Sequence, residues 1–391
     1  MSLTLVDVDQ HYCEPQDAFT RYLDPKFSRV IQWAEVRGRK QLLVGEKIVH
    51  AGIHPAHEFT PKPGTMSNYF RGGNTEGRSP REIMGEPEPA RAEYFDRARR
   101  VGVLDAQGIA TAVINPQTGL VLEEALKDNP AALYAVFDAY HRWLDEDWGF
   151  ARDDRIICPA VVTLVDAVLA EKQLQWLLEH EVKVIMFRPG PVVGPWGSRT
   201  PADSTYDRFW SMAEEAGVVA AFHVADGNSR KYAEQWGEGE SLNFVNLFNK
   251  FSSILSLQME RPIFDTIASL IAKGLFDRHP NLKVATIELG SGWVPELLRR
   301  LQIVYGQMPQ AFAHDPVEQF HEHVWVTPFQ EENMARLVSV MRPERILFGS
   351  DWPHPEGVAE PTDLLSEFAS LSDHDQQLIT QQNAKELLAL A

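Results

Sequence analysis

The stretch Asp166–Phe187, DAVLAEKQLQWLLEHEVKVIMF, contains a helical pattern followed directly by a strand pattern. In Asp166–Glu181 the apolar residues recur at helical spacing and fall roughly on one face. The residues assigned to that face are Val168, Leu169, Leu174, Leu177 and Leu178. Val182–Phe187 is apolar except for Lys183, which predicts a buried strand. The stretch therefore predicts one helix–strand unit of an α/β protein.

The same alternation extends over the whole chain. Eight short runs of strand character recur, several of them apolar throughout, as is typical of parallel strands covered on both faces. The runs are Leu5–Asp9, Ala110–Ile114, Ile156–Val162, Val182–Phe187, Val218–Val224, Val284–Ile287, His323–Thr327 and Ile346–Gly349. Eight strands alternating with helices predict an α/β fold of the (β/α)8 TIM barrel type. A doubly wound open sheet is the alternative, but the first strand is not followed by a glycine-rich phosphate loop.

Two connections between these strands are unusually long. The first follows Asp9 and contains a possible hairpin, Val30–Val36 with Gln41–Val49, and then a Pro/Gly-rich stretch. The second spans Asp226–Pro262. Both follow strand carboxyl ends, where barrel enzymes have their active sites. We therefore predict a single domain, 1–391, with 24–97 as an inserted lid or cap, and a passive surface excursion as the alternative reading.

The composition and net charge limit the kinds of molecule that this protein is expected to bind. The chain has 391 residues, 44% of them hydrophobic, and its net charge at pH 7 is −18. Such a charge disfavours nucleic acid and anionic membranes. Two cysteines, no signal-peptide pattern and no apolar run of about 18 residues predict a soluble cytoplasmic protein. We expect a small-molecule substrate, and a homo-oligomer stays open.

Ionisable residues occur at the ends of several predicted strands. Alternation along the first strand puts Asp7, Asp9 and His11 on one face. His223 lies in the fifth strand, Glu288 ends the sixth, and Asp351 follows the eighth. Taken one at a time, His223 reads as a core histidine and Asp351 as a helix N-cap. Together these groups would meet at one rim of the barrel, and nitrogen and oxygen donors that converge in this way predict a divalent metal site.

Four motifs carry a resemblance to a known family. They are DVDQHYCEP in the first strand, FHV in the fifth, ELGSGWVP after the sixth and GSDWPHPEG after the eighth. These motifs resemble the amidohydrolase superfamily, and most closely the branch that contains amino-carboxymuconate-semialdehyde decarboxylase and related TIM-barrel metal-dependent hydrolases. The resemblance covers residues 4–14 and about 98–391.

The resemblance implies one divalent metal ion per chain. Its ligands would be Asp9, His11, His223 and Asp351. The family's first ligand pair is H-x-H, whereas this chain has Asp9 in the first of those two places. Mixed oxygen and nitrogen donors suit Zn²⁺, which we expect, and suit Mn²⁺ or Fe²⁺ nearly as well.

The resemblance also implies the catalytic groups. The decarboxylases have a catalytic histidine at the end of the sixth strand, and Glu288 takes its place here. We predict Asp351, Glu288 and His354 as catalytic residues. We predict that the substrate is bound by Arg188, Trp293 and Trp352. The alternative for Arg188 is a purely structural pair with Glu288.

Three functions follow from these expectations. The first is a metal-dependent hydrolase that activates water against a small carbonyl-containing substrate. The alternative is a non-oxidative decarboxylase of an aromatic or dienoic acid, in which Arg188 grips the carboxylate. The third is a catalytically silent barrel that binds a ligand, and its lack of a metal would distinguish it from the other two.

Overall fold

The computed structural model describes residues 4–36, 39–45, 47–49, 59–225, 229–237 and 253–390. Seven parallel strands form most of a barrel. They are β1 (Leu5–His11), β2 (Ile109–Asn115), β3 (in two pieces, Ile156–Ile157 and Ala160–Val161), β4 (Val184–Phe187), β5 (Val219–His223), β6 (Lys283–Ile287) and β7 (Val324–Val326). Each strand pairs in parallel with the next, and β2 pairs with the first piece of β3 while β4 pairs with the second.

An eighth extended segment, residues 346–352, closes the barrel. On one side the backbone N–H of Leu347 donates to the carbonyl of Val326 in β7 at 2.9 Å. On the other side, Val8 in β1 donates to the carbonyl of Phe348 at 2.9 Å, and Asp351 donates to the carbonyl of Asp9 at 2.7 Å. The segment therefore lies between β7 and β1, and the predicted (β/α)8 barrel is confirmed.

Helices surround this barrel. The α-helices are Ser67–Phe70, Pro80–Met84, Arg97–Gln107, Leu122–Leu126, Pro130–Asp147, Ala167–Glu179, Asp207–Glu215, Ser229–Gln235, Ser253–Leu257, Arg261–Ala272, Leu275–Arg278, Val294–Gln307, Pro316–His323, Met334–Val338, Asp373–Gln377 and Asn383–Leu387. The shorter 3-10 and π-helical turns are Pro25–Phe27, Ala92–Tyr94, Gly119–Val121, Ser204–Tyr206, Pro309–Ala311, Pro343–Arg345, Pro361–Phe368 and Leu378–Gln382. In the described part of the chain, none of the helices is both long and apolar enough to cross a membrane.

The helix predicted within Asp166–Glu181 is present as Ala167–Glu179. The side chain of Asp166 caps Ala167–Glu179 by accepting from the backbone N–H of Leu169 at 3.0 Å. Leu174 and Leu177 are buried against the barrel. Val168, which was expected on the same face, is 74% exposed. At 3.6 residues per turn, Val168 lies about 200° around the helix axis from the buried Ala170, so its side chain points away from the packed face.

The segment 24–97 packs against the barrel, because Ile31, Leu42 and Val44 belong to the same buried core as the barrel strands. Ile31–Val36, Arg39–Val44 and Lys47–Val49 make an antiparallel sheet, and Phe59–Thr60 pairs with Glu88–Pro89. The predicted hairpin is thus present, with a third strand added. Residues 37, 38, 46 and 50–58 lie outside the described residues, as do 226–228 and 238–252 of the second long connection.

Candidate metal centre

Strand β1 sends its acidic residues to two different places. Asp7 is fully buried, and its carboxylate accepts from the backbone N–H of Ser350 at 3.0 Å and from the Ser350 hydroxyl at 2.6 Å. Burial raises the pKa of Asp7 to about 7. Asp7 therefore ties β1 to the eighth segment. Asp9 and His11 lie further along, at the carboxyl end of the barrel.

The imidazole of His11 is the centre of a cluster of carboxylates. Its Nε2 lies 3.4 Å from Asp9 Oδ1, 3.5 Å from Glu288 Oε2 and 3.3 Å from Asp351 Oδ1. A single ring nitrogen can make at most one hydrogen bond, so it cannot pair with three acceptors at once. Three carboxylates and one imidazole nitrogen at these separations form a donor cage for a cation.

His223 completes this cage from the neighbouring strand. Its Nε2 lies 3.1 Å from Glu288 Oε2 and 3.7 Å from Asp9 Oδ1. One ligand atom from each of Asp9, His11, His223 and Glu288 can be chosen so that all lie within 4.8 Å of one another. A second such group shares His11 and Glu288 with this one and adds Asp351 and His354.

Several donor atoms of the cluster lack a hydrogen-bond partner. Among the described residues, the buried atoms without a partner include His11 Nδ1 and Nε2, His223 Nε2 and Asp351 Oδ1. Buried polar atoms without partners are costly, and neutral imidazole and carboxylate groups are the usual ligands of divalent transition metals. The residues present therefore fit a divalent metal ion. The four predicted ligands are brought together, and Glu288, predicted as a catalytic group, lies as close to the histidines as they do.

The pKa values of the clustered groups indicate that a positive charge would be stabilised at this site. Burial raises the pKa of Asp351 to about 6 and also raises the pKa of Glu288, which the Asp351 carboxylate raises further. Burial lowers the pKa of His11, but contacts with Asp351, Asp9 and Glu288 raise it well above its ordinary value. Crowded carboxylates resist ionisation together, and a cation among them relieves this repulsion.

Two of the cluster's carboxylates stand on strained backbone. Glu288 has a φ of 53° and Asp351 a φ of 55°, in the left-handed region that costs a non-glycine residue about 1–2 kcal/mol. This conformation shows that Asp351 is not the cap of an ordinary helix. The neighbouring Gly357 packs against it, because a Cβ on Gly357 would lie 2.5 Å from the carbonyl oxygen of Asp351.

Three further residues orient the cluster, and sequence reasoning did not single them out for this role. Asn115, at the end of β2, donates from Nδ2 to Asp9 Oδ1 at 2.9 Å. The amide nitrogen of Gln117 lies 3.1 Å from His354 Nε2. Since an amide nitrogen donates, Nε2 accepts and the proton of a neutral His354 ring is on Nδ1. His354 Nδ1 lies 2.6 Å from Asp351 Oδ1, but the two atoms do not have the geometry of a hydrogen bond. Glu14 Oε1 accepts from the backbone N–H groups of residues 117–119 and so holds this loop.

The cluster opens into a cavity of about 780 Å³. Asp9, Glu288 and Asp351 line it on the barrel side. From the inserted segment, Tyr69 and Phe70 line it as well. The segment is joined to the barrel rim by backbone hydrogen bonds from Gly64 to the carbonyl of His354 at 3.0 Å and from Met66 to the carbonyl of Pro355 at 2.7 Å.

Three predicted substrate-binding residues lie elsewhere among the described residues. Arg188 pairs with Glu123 and not with Glu288. Its Nε donates to Glu123 Oε1 at 2.6 Å, and its guanidinium also donates to the carbonyl of Pro191. The indole of Trp293 is buried and donates to the carbonyl of Gly290 at 2.9 Å. None of the three is among the described residues that line the cavity.

The indole of Trp352 faces away from the metal cluster. The Arg100 guanidinium carbon lies 4.6 Å from the ring centroid, and Tyr94 packs edge-on against the ring. The left-handed backbone at Asp351 interrupts the extended segment, which accounts for the different surroundings of these adjacent residues. The substrate-binding role of Arg188, Trp293 and Trp352 stays a prediction.

The family is decided by comparison with known proteins. A family model for amidohydrolases matches residues 49–390. The chain belongs to the amidohydrolase family. A solved amidohydrolase from Mycobacterium avium subsp. paratuberculosis is similar to it over 99% of this chain and 100% of that one, at 37% identity and a TM-score of 0.91.

Decarboxylases are among the relatives of this amidohydrolase. The gamma-resorcylate decarboxylase of Rhodococcus jostii is 30% identical over 128 residues, which are 31% of this chain and 38% of the relative, so the chain spans well under half of that relative's length. A dihydroxybenzoic acid decarboxylase from Polaromonas sp., solved with bound manganese and 2-nitroresorcinol, shares the fold at 20% identity and a TM-score of 0.53, over 74% of this chain and 85% of that one.

Proposed function

We propose that this amidohydrolase is a metal-dependent decarboxylase that removes CO2, without oxidation, from an aromatic or dienoic carboxylic acid. The observation that carries the proposal is the buried donor cluster of Asp9, His11, His223, Glu288 and Asp351 opening into a cavity lined by aromatic side chains. The decarboxylases among its relatives support the same reading. Hydrolysis, the first function expected from the sequence, receives less support.

A divalent metal held by Asp9, His11, His223 and Asp351 would supply a Lewis acid for an oxygen of the substrate acid. Manganese in the Polaromonas enzyme makes Mn²⁺ as good a candidate as Zn²⁺. The cavity offers flat apolar surfaces on Tyr69, Phe70 and Phe329. Aromatic side chains of this kind stack against an aromatic or dienoic skeleton and exclude water from it.

The reaction needs one proton at carbon. The bond between the carboxyl carbon and the skeleton breaks, CO2 leaves, and the electron pair that stays on the skeleton carbon takes a proton. Glu288 lines the cavity at the end of β6, with its side chain 11% exposed. We assign Glu288 to hold this proton and pass it to carbon, in the place where the resembling decarboxylases have a histidine.

The test is a screen of aromatic and dienoic acids with metal-loaded protein, in which CO2 release is measured. In D2O the product should carry one deuterium at the vacated carbon. Glu288→Gln should lower CO2 release by about 100-fold or more, with metal content checked by elemental analysis. Glu332→Gln is the matched control, because Glu332 lines the same cavity but is bonded to Ser291 and to the backbone of Phe329.

Hydrolysis is the second candidate, and Glu288 is the observation that favours it. A carboxylate can accept a proton from water as a general base, whereas it cannot offer a positive charge to a substrate carboxylate. Lactones and amides therefore belong in the same screen. If they are cleaved with incorporation of one ¹⁸O from labelled water, and no acid releases CO2, the decarboxylase proposal is wrong.

A further inference from the structure

The cavity beside the metal centre carries an unusual set of charges. Seven carboxylate side chains line it: Asp9, Glu260, Glu288, Glu331, Glu332, Asp351 and Glu356. Among the described residues of its lining there is no lysine, arginine or histidine. A substrate carboxylate can therefore find a positive partner at the metal, whereas the ionisable side chains that a second anionic group would meet among the described lining residues are all carboxylates.

These carboxylates differ in how far the protein already uses them. The carboxylate of Glu332 already accepts hydrogen bonds within the protein, from the backbone N–H and hydroxyl of Ser291 and from the backbone N–H of Phe329. In contrast, Oε2 of Glu356 is buried and has no hydrogen-bond partner among the described residues. Burial and then the charge of Glu332 raise the pKa of Glu260 to about 7, which shows that added positive charge would be favourable here.

A second, independent feature points to a ligand. Thr327 follows β7, lines the cavity and is only 2% exposed, yet its hydroxyl has no hydrogen-bond partner among the described residues. It lies close to the metal cluster, because a Cβ placed on Gly349 would be 2.6 Å from Thr327 Cγ2 and 2.7 Å from Asp9 Cβ. A buried hydroxyl left without a partner is costly, so Thr327 is expected to be paired when a ligand is bound.

We propose that Thr327 and Glu356 form a polar subsite that selects a monocarboxylic substrate whose second polar substituent donates hydrogen bonds, with a protonated amine preferred and a second anionic group rejected. This inference rests on the proposed function, because it assumes that the first carboxylate is directed to the metal. The hydroxyl of Thr327 accepts from the donor group, and the carboxylate of Glu356 balances its charge.

Three acids with one skeleton test the charge preference. They are 3-(aminomethyl)benzoate, 3-(hydroxymethyl)benzoate and isophthalate, whose second groups are cationic, neutral and anionic. Calorimetric titration of the metal-loaded protein should give the amine a dissociation constant at least tenfold lower than that of isophthalate. Glu356→Gln should reduce the advantage of the amine over the hydroxymethyl compound by about tenfold. Glu332→Gln removes a charge that already accepts hydrogen bonds from the loop, so it should change the affinity ratio of the amine to the hydroxymethyl compound by less than threefold.

Thr327→Val tests the hydroxyl with a side chain of the same shape. It should weaken binding of the amine by about tenfold and leave the thermal midpoint of the ligand-free protein unchanged or raised, because an unpaired buried hydroxyl is replaced by a methyl. Thr327→Ser should retain binding. Thr266→Val is the matched control: the Thr266 hydroxyl, equally buried, donates to Pro262 and accepts from Gly190, so its loss should lower the midpoint.

The outcomes separate this inference from the proposed function. The inference is overturned if isophthalate binds as tightly as 3-(aminomethyl)benzoate, or if a dicarboxylic acid releases CO2 faster than the aminomethyl-substituted acid of the same skeleton. The proposed decarboxylase function would survive either result. If Thr327→Val lowers the thermal midpoint and leaves binding unchanged, Thr327 is structural and the subsite is wrong. If no acid binds and none releases CO2, the proposed function fails and the substrate class fails with it.

Discussion

Glu288 and Asp351 stand on the same left-handed backbone, with φ of 53° and 55°, and their carboxylates approach one atom, Nε2 of His11, at 3.5 and 3.3 Å. They come from the end of β6 and from the eighth segment, which are not neighbours in the barrel. Backbone strain of this kind persists where the surrounding structure compensates for it, and it concentrates at functional sites. The pair therefore gives the first prediction.

Asp351→Asn should abolish function without damaging the fold. Asparagine tolerates the left-handed conformation and removes one of several crowded buried charges, so the thermal midpoint of the metal-free protein should stay unchanged or rise. Metal affinity should fall, and CO2 release from any substrate found in the screen should drop by about 100-fold or more. Asp351→Ala should also lose about 1 kcal/mol of stability from the strained backbone. A variant that unfolds easily yet binds metal and turns over normally would show that Asp351 is structural.

His223→Ala should empty the metal centre. Purified protein should hold about one divalent ion per chain, because the two possible donor groups share His11 and Glu288. The alanine variant should lose most of this metal, as measured by elemental analysis after dialysis. His141→Gln is the control, since His141 is equally buried but bonds to the carbonyl of Val161 outside the cluster. Equal metal in His223→Ala and the parent protein would contradict the assignment of His223.

Phe70→Ala should weaken substrate binding from the side of the inserted segment. Phe70 lines the cavity opposite the barrel residues, and its removal deletes apolar contact area that an aromatic ligand would otherwise bury. We expect KM to rise by roughly tenfold, on the scale of the burial of a large side chain, with metal content unchanged. Phe59→Ala serves as control, because Phe59 lies in the same inserted segment but is 52% exposed and is not among the cavity-lining residues described. Equal effects of the two variants would show that 24–97 is a passive excursion and not a lid.

His141 should make the protein less stable in acid. Burial lowers its pKa from 6.5 to about 3, so the folded protein keeps the ring neutral while the unfolded chain binds a proton below about pH 6.5. The stability that His141 contributes is therefore complete above pH 6.5 and is lost as the pH falls from 6.5 towards 3. The contribution to the slope should approach 1.4 kcal/mol per pH unit, about the value for one proton.

Denaturant unfolding at pH 7, 6, 5 and 4 measures this slope in protein stripped of metal. His141→Gln keeps a donor for the carbonyl of Val161 and removes the titrating ring, so its unfolding free energy should fall less steeply with decreasing pH. Parallel curves for the two proteins would mean that His141 is protonated in the folded state and would contradict the burial argument.

The sequence by itself determined the barrel and the rim of the barrel at which the site lies. Apolar runs such as Val184–Phe187 have one low-energy solution when they alternate with amphipathic helices, namely parallel strands covered on both sides. In a closed parallel barrel all strand carboxyl ends meet at one rim, so Asp9, His11, His223, Glu288 and Asp351 had to lie near one another whatever their exact contacts. Local chemistry and topology were sufficient for this step.

Only the tertiary structure decided how each polar side chain is used. Asp7 and Asp9 are two residues apart, yet one is bonded to Ser350 and the other meets the histidines. Arg188 pairs with Glu123, which is distant in sequence and which no local pattern indicates as its partner. The carboxylate that Glu356 adds to the cavity comes from a loop that no strand pattern predicts. Partners of this kind depend on long-range packing, and the free energy of a buried polar group depends on those partners more than on its place in the sequence.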